Sequence, residues 1–137
     1  MKNKLIASFF GVSLFMTSLV SLAQIPEAQT ANGIQFVSGG IGLDESGAIK
    51  ADAKHWPLHL EFSQIEGQKA EWVAGVNLRI MDSKGNEIFQ HEIDGPLALI
   101  KLPEGKYSLE ATYLSRKVGR QFEIQSGKSQ RLSIFWK

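Results

Sequence analysis

Leu102-Pro103-Glu104-Gly105-Lys106-Tyr107-Ser108-Leu109-Glu110-Ala111-Thr112-Tyr113 is the stretch whose reading fixes the fold class. Pro103 presets φ at the first corner of a turn, and Gly105 can supply a positive φ. Tyr107, Leu109, Ala111 and Tyr113 then alternate with polar residues, so one side of a strand is buried and the other is wet. A chain that turns at the edge of a β-sandwich and enters its core has this pattern. The shared face with Leu109 commits both tyrosines to packing, with the Tyr107 hydroxyl in reach of backbone near its turn.

On the N-terminal side, Leu97 to Leu102 is apolar on both parities apart from Lys101, which predicts a central strand covered on each face. Asp94-Gly95-Pro96 makes the turn before it. Glu87 to Ile93 pairs back through the hairpin loop Asp82-Ser83-Lys84-Gly85-Asn86 onto Val76, Leu78 and Ile80. Trp72 and Val73 lead into that strand after a polar connection, Glu66 to Lys69. Upstream, Leu58, Leu60 and Phe62 alternate with His59, Glu61 and Ser63, a half-buried strand. On the C-terminal side, Val118 to Ile124 and Leu132, Ile134 and Trp136 supply two more strands. The expectation is an all-β domain, a single antiparallel sandwich of about seven strands, with one short helix after the first strand.

That helix follows Ile34 to Ser38 and the glycine neck Gly39, Gly40 and Gly42, where glycines let the chain turn sharply. Asp44 suits an N-cap and Glu45 the first turn, with Leu43, Ala48, Ile49 and Ala51 as an apolar side through about Ala53. Residues 24–32 are polar, contain Pro26 and show no periodicity, so they read as a flexible linker. The domain proper is 33–137.

Before the linker, Lys2 and Lys4 precede an uncharged apolar run from Leu5 to Leu22, and Ser21-Leu22-Ala23 places small residues where a signal peptidase reads. Cleavage after Ala23 is expected, giving a periplasmic or secreted product with no stable membrane insertion. Of 137 residues, 114 then remain, enough for one domain with a single core. Lys and Arg number 15 against 14 Asp and Glu; with Lys2 and Lys4 removed the net charge is −1. That charge comes without a basic stripe, which argues against nucleic acid as a partner. With no cysteine, neither a disulfide nor a thiolate metal site holds the fold.

No constellation of reactive residues stands out. His55 and His59 are four apart, but Trp56-Pro57 breaks the helix that would align them on one metal ion. His91 shares parity with Phe89 and Ile93 and faces the core or its edge. Gly40-Ile41-Gly42 before a helix is similar to an anion-binding loop, yet position 45 is Glu and no βαβ unit follows. Gly127-Lys128-Ser129 ends like a P-loop, but the residue five before Gly127 is Phe122. No nucleophile elbow is present, so the chain reads as no enzyme, with no cofactor and no metal. Arg120 breaks the alternation of Val118, Phe122 and Ile124, and should snorkel or pair with an acid. Trp56 and Trp72, together with His55 and His59, are the candidate partner or ligand surface; Pro103, Gly105 and Tyr107 form a structural turn.

The run Leu102 to Ala111 resembles the LPxGxYxLxA strand-turn-strand of carboxypeptidase regulatory-like domains, which are transthyretin-like (prealbumin-like) sandwiches. The hairpin Val76 to Ile88 is similar to the V-x-V-x-D-x-x-G hairpin of those domains. Phe122-Glu123-Ile124 with Leu132-Ser133-Ile134 closes the same pattern. Phe36 to Gly42 followed by Asp44-Glu45 looks like the start of small exported bacterial proteins that carry one. The resemblance implies an accessory or interaction module rather than a catalyst. The ending Leu132-Ser133-Ile134-Phe135-Trp136-Lys137 lacks the Tyr-Arg-Gly-Ser signature of the hydrolases in that group, and no His-x-x-Glu zinc pair occurs. The expected function is a non-catalytic exported binding module that presents loops or a sheet edge to a protein or cell-envelope component. The alternative is a small-ligand binder, of glycan or metal, built on the glycine neck with His55, Trp56 and His59.

Overall fold

The computed structural model describes residues 24–137 together with Gly11 and Ser13. The expected signal segment otherwise lies outside the described residues. The chain runs β1 (Gln29–Ala31), β2 (Ile34–Gly39), α1 (Leu43–Asp52), a 3₁₀ turn (Ala53–His55), β3 (Leu58–Glu66) and β4 (Lys69–Trp72). It continues through β5 (Val76–Asp82), β6 (Glu87–Ile93), β7 (Leu97–Ile100), β8 (Gly105–Tyr113), β9 (Arg116–Ile124) and β10 (Gln130–Trp136). Two sheets form a sandwich: one in the order β1-β2-β7-β3-β10, with β4 also on β3, the other in the order β6-β5-β8-β9.

The interior follows from the period of two in both sheets. Leu58, Leu60 and Phe62 of β3 and Ile134 and Trp136 of β10 meet Val76, Leu78, Ile80, Phe89, Leu109 and Ala111 of the other sheet. Phe36 and Phe89 contact edge to face, with centroids 5.2 Å apart. Tyr113 packs on Trp136 and Tyr107 stacks on Phe122, so both tyrosines line this interior at its rim. His91 lies against Phe36 with centroids 4.6 Å apart, at the core's edge as its parity predicts.

Four local expectations change. The stretch 24–32 is not wholly a linker, because Gln29–Ala31 pairs antiparallel with Ile34–Phe36 around Asn32-Gly33. Short polar strands give no periodicity signal and form because a neighbour completes their hydrogen bonds. The same reason explains β4, which lies partly in the predicted polar connection and pairs with the far half of β3. These additions bring the strand count among the described residues to ten. Third, β3 is buried on both faces over Leu58–Phe62, not half-buried.

The fourth change is direction: β10 runs parallel to β3, while the other ladders are antiparallel. Alternation records which side chains are buried and says nothing about strand direction. The start of β10 is held at the start of β3, where Gln130 N–H donates to Pro57 O at 2.8 Å and Ser129 Oγ donates to Ala53 O at 3.0 Å. Leu97–Ile100 does form a central strand, buried at all four positions between β2 and β3.

A second, smaller apolar group sits on the outer face of the first sheet. Val37, Leu97 and Leu99 point outward there and are covered by Ile49 of α1 and by Ala53, with Ile25 and Trp56 at the margin. The helix therefore closes the face that the other sheet leaves open.

Candidate functional site

The glycine neck positions α1. Gly40 and Gly42 have φ of 97° and 96°, values that residues with a Cβ rarely adopt. A Cβ on Gly40 would also meet the Leu97 side chain at 2.9 Å. The N-cap is Gly42 rather than Asp44, and no side chain caps the helix there. Glu45 takes up part of that role by reaching back, so that Gly40 N–H donates to Glu45 Oε1 at 2.8 Å. Asp44 and Glu45 both lie in the first turn, where the helix dipole favours negative charge.

Leu43, Ser46, Ile49 and Ala53 form one helical stripe by their spacing of three, three and four. Ser46, Ile49 and Ala53 are buried, yet Leu43 is 89% exposed. The first turn of α1 thus projects past the apolar pad on which the rest of the helix lies. Leu43, Gly40, Ile41 and Gly42 form one wall of an open groove of about 440 Å³, and Trp72 and Ala74 form the other. Ile41 is 69% exposed and Trp72 43%. Lys50 Nζ lies 4.4 Å from the Trp72 ring centroid, a cation–π contact that holds the indole beside the helix. Among the described residues β4, which carries Trp72, pairs with β3 alone, which leaves its other edge without a strand partner there.

The four residues expected to share a surface do not come together as one: His55 and Trp56 share a hollow, and Trp72 and His59 lie elsewhere. Trp72 alone lines the groove. His55 and Trp56 lie beyond the far end of α1, both bonded to Asp52: His55 Nδ1 at 3.0 Å and Trp56 Nε1 as donor at 2.8 Å. The two hydrogen bonds, that from Trp56 foremost, hold the Asp52 carboxyl below its ordinary pKa. His55 and Trp56 line a second hollow of about 380 Å³ with Lys54, Glu104 and Lys128.

His59 is no surface residue. It is 6% exposed and faces the α1 side of the first sheet, where burial lowers its pKa against the opposing pull of Glu61. The alternation of β3 puts it opposite Leu58 and Leu60, on the face expected to be wet, and its place between Leu99 of β7 and Arg131 of β10 reverses this. Among the described residues no group of three His, Cys, Asp or Glu side chains could hold a metal ion.

Ile41, Leu43 and Lys50 were not among the expected site residues. Leu43 was assigned to the apolar side of the helix, and its phase is right. The helix overhang decides its exposure, and no local pattern encodes that.

At the other end of the sandwich, the Pro103–Gly105 segment carries the chain from β7 in one sheet to β8 in the other. Tyr107 donates its hydroxyl to Pro103 O at 2.6 Å and so ties the crossing down. Gly105 has the positive φ expected of it, 156°, which residues with a Cβ rarely adopt, although a Cβ there would make only ordinary contact with the Tyr107 ring at 3.5 to 3.6 Å. The segment is an open bend, structural rather than part of the groove. Among the described residues Arg120 pairs with no acid; its guanidinium donates to Gly119 O and lies over the Phe135 ring.

No family model and no curated protein matches the chain. Among solved structures, the Bacillus anthracis TIE protein aligns with a TM-score of 0.45 and 17% identity, over 58% of this chain. The matched region spans 16% of that protein's length.

Proposed function

We propose that this chain is an exported, non-catalytic binding or accessory module, which takes an extended apolar segment of a protein partner into the groove between the glycine neck and Trp72. The observation that carries the reading is the cluster of Ile41, Leu43 and Trp72, three large apolar side chains left exposed around one groove next to an open strand edge. Apolar surface gathered in this way marks interaction sites, and a free edge offers backbone hydrogen bonds to an added strand. The Pro103–Tyr107 crossing and the Val76–Ile88 hairpin support placing the module with the carboxypeptidase regulatory-like domains, whose use in many contexts as appendages fits the same reading. The leader-like start supports export to the periplasm or beyond.

Photo-crosslinking tests this directly. A photoreactive residue at Leu43 or Ile41, both largely exposed, is expected to trap a discrete partner in cells. The same residue at Ser83, on the hairpin loop away from the groove, is expected to trap none. Equal labelling at all three positions, or none at 41 and 43, would overturn the proposal.

A second reading rests on the hollow beside Trp56, where Lys54 and Lys128 face one acid, Glu104. A half-buried indole with two ammonium groups suits an anionic glycan better than a metal ion. A thermal shift with acidic sugars that Lys128→Ala abolishes, in the absence of any crosslink in the groove, would favour it.

A further inference from the structure

His59 is the group least accounted for by packing alone. Its side chain is buried, and its Nε2 has neither solvent contact nor a hydrogen-bond partner. Glu61 Oε1 lies 3.8 Å away, too far to satisfy it. The carboxylate is already engaged on its other oxygen, which accepts from Arg131 Nη2 at 2.8 Å. In register across the outer face, His59 stands between Leu99 of β7 and Arg131 of β10, so its apolar neighbour belongs to the pad beneath α1. The charged groups that face it are Glu61 from its own strand, Arg131 from β10 and Lys50 from α1; β7 contributes only Leu99.

We propose that His59 makes α1 an acid-sensitive latch: protonating the imidazole drives the helix off its pad about the glycine neck. A neutral ring tolerates this site at the cost of one unmade hydrogen bond. An imidazolium would add a third positive charge to those of Arg131 and Lys50, opposed by Glu61, whose Oε2 is already bonded to Arg131. Water relieves that arrangement, and α1, whose pad includes Leu99 beside the ring and whose Lys50 charge reaches it, is the element that can move to admit it. Its pad is small, Gly40 and Gly42 supply backbone freedom at its start, and the sandwich interior on the far side of the sheet shares no residue with the pad. The sign follows from linkage. His59 has a folded pKa below the ordinary 6.5, so the open form binds the proton more readily. Closure is fully favoured above 6.5 and weakens as pH falls from there through the folded value. Lifting α1 carries Leu43 and Ser46 away from the groove; that consequence rests on the docking reading, whereas the latch does not.

Hydrogen exchange of the unliganded protein tests the latch alone. Between about pH 7.5 and pH 5.5, on either side of the ordinary histidine value, protection of residues 42–53 is expected to fall severalfold once the intrinsic pH dependence of exchange is removed. Each unit by which the pKa is depressed corresponds to about tenfold in the opening equilibrium. Strands β7 and β8 should keep their protection. His59→Leu and His59→Gln should flatten the response. Unchanged protection of 42–53 in the parent, an equal loss in β8, or a response that survives both substitutions would each overturn the proposal. If neither variant folds, an NMR titration of the parent decides: amide resonances of residues 42–53 that shift together with a His59 titration below 6.5 support it, and an imidazole titrating at or above 6.5, or one whose titration leaves those resonances unmoved, overturns it.

Discussion

Between the sheets, Phe36, Phe62 and Phe89 are fully buried in a cluster drawn from eight strands, whereas beneath α1 a handful of residues lies beside the buried pair His59 and Glu61. The first interior is continuous and apolar, and its strands bind one another through long ladders. The second is a thin pad under a ten-residue helix that contains Gly47 and starts without a side-chain cap. One sheet separates them, and both of its faces are buried along β7 and much of β3. The difference shows that a single sheet can carry a large core on one face and a small, distinct one on the other. The groove belongs to the local side, where movement is least costly.

Several substitutions break or sharpen that contrast. Phe62→Ala should cost about 3–5 kcal/mol, since it removes a fully buried ring from the main interior. Urea denaturation should show the whole transition shift, with tryptophan fluorescence and far-UV circular dichroism still coincident. Gly95→Ala acts at the junction of the two cores. Its Cβ would fall 2.2 Å from Gly39 O, and backbone on both sides must shift. A loss of about 1–3 kcal/mol is expected by analogy with overpacking, together with weaker protection of α1. A melting temperature equal to the parent's would show that the neck is loose rather than clamped.

Ile49→Ala removes the one large side chain that α1 buries. A local cost of about 2 kcal/mol, at the low end for such truncations, should appear as faster hydrogen exchange in 42–53, while β5 and β8 remain protected. Equal loosening of both regions would merge the two cores into one cooperative unit. Tyr107→Phe should cost about 1 kcal/mol, the net worth of the hydroxyl bond to Pro103 O. The effect should be seen in the global transition only, and a change in α1 exchange would contradict the separation.

Much of the main interior was legible from alternation. The alternating residues of β5 and β8, the buried run of β7 and the rim tyrosines lie where period and parity put them. The hairpin at Asp82 was legible too, because its carboxylate accepts from Lys84 and Asn86 backbone N–H groups within the same loop. The candidate site was far less so. Trp72 could be named from size and polarity, but His55 and Trp56 close a different hollow, and His59 is sealed beneath the helix side of the sheet. Which face of β3 meets water depends on where a segment elsewhere in the chain docks.

Local chemistry by itself determined the sandwich interior, the crossing at Pro103–Tyr107 and the sharp neck before a short helix, because steric limits on φ and the two-residue period act within a few residues. Only the tertiary structure decided that β10 lies parallel to β3, that β1 and β4 become strands, and that the outer face of the sheet is covered while Leu43 is left in water. Those outcomes depend on long-range pairing and on the line along which α1 crosses the sheet, and neither leaves a periodic mark in the sequence.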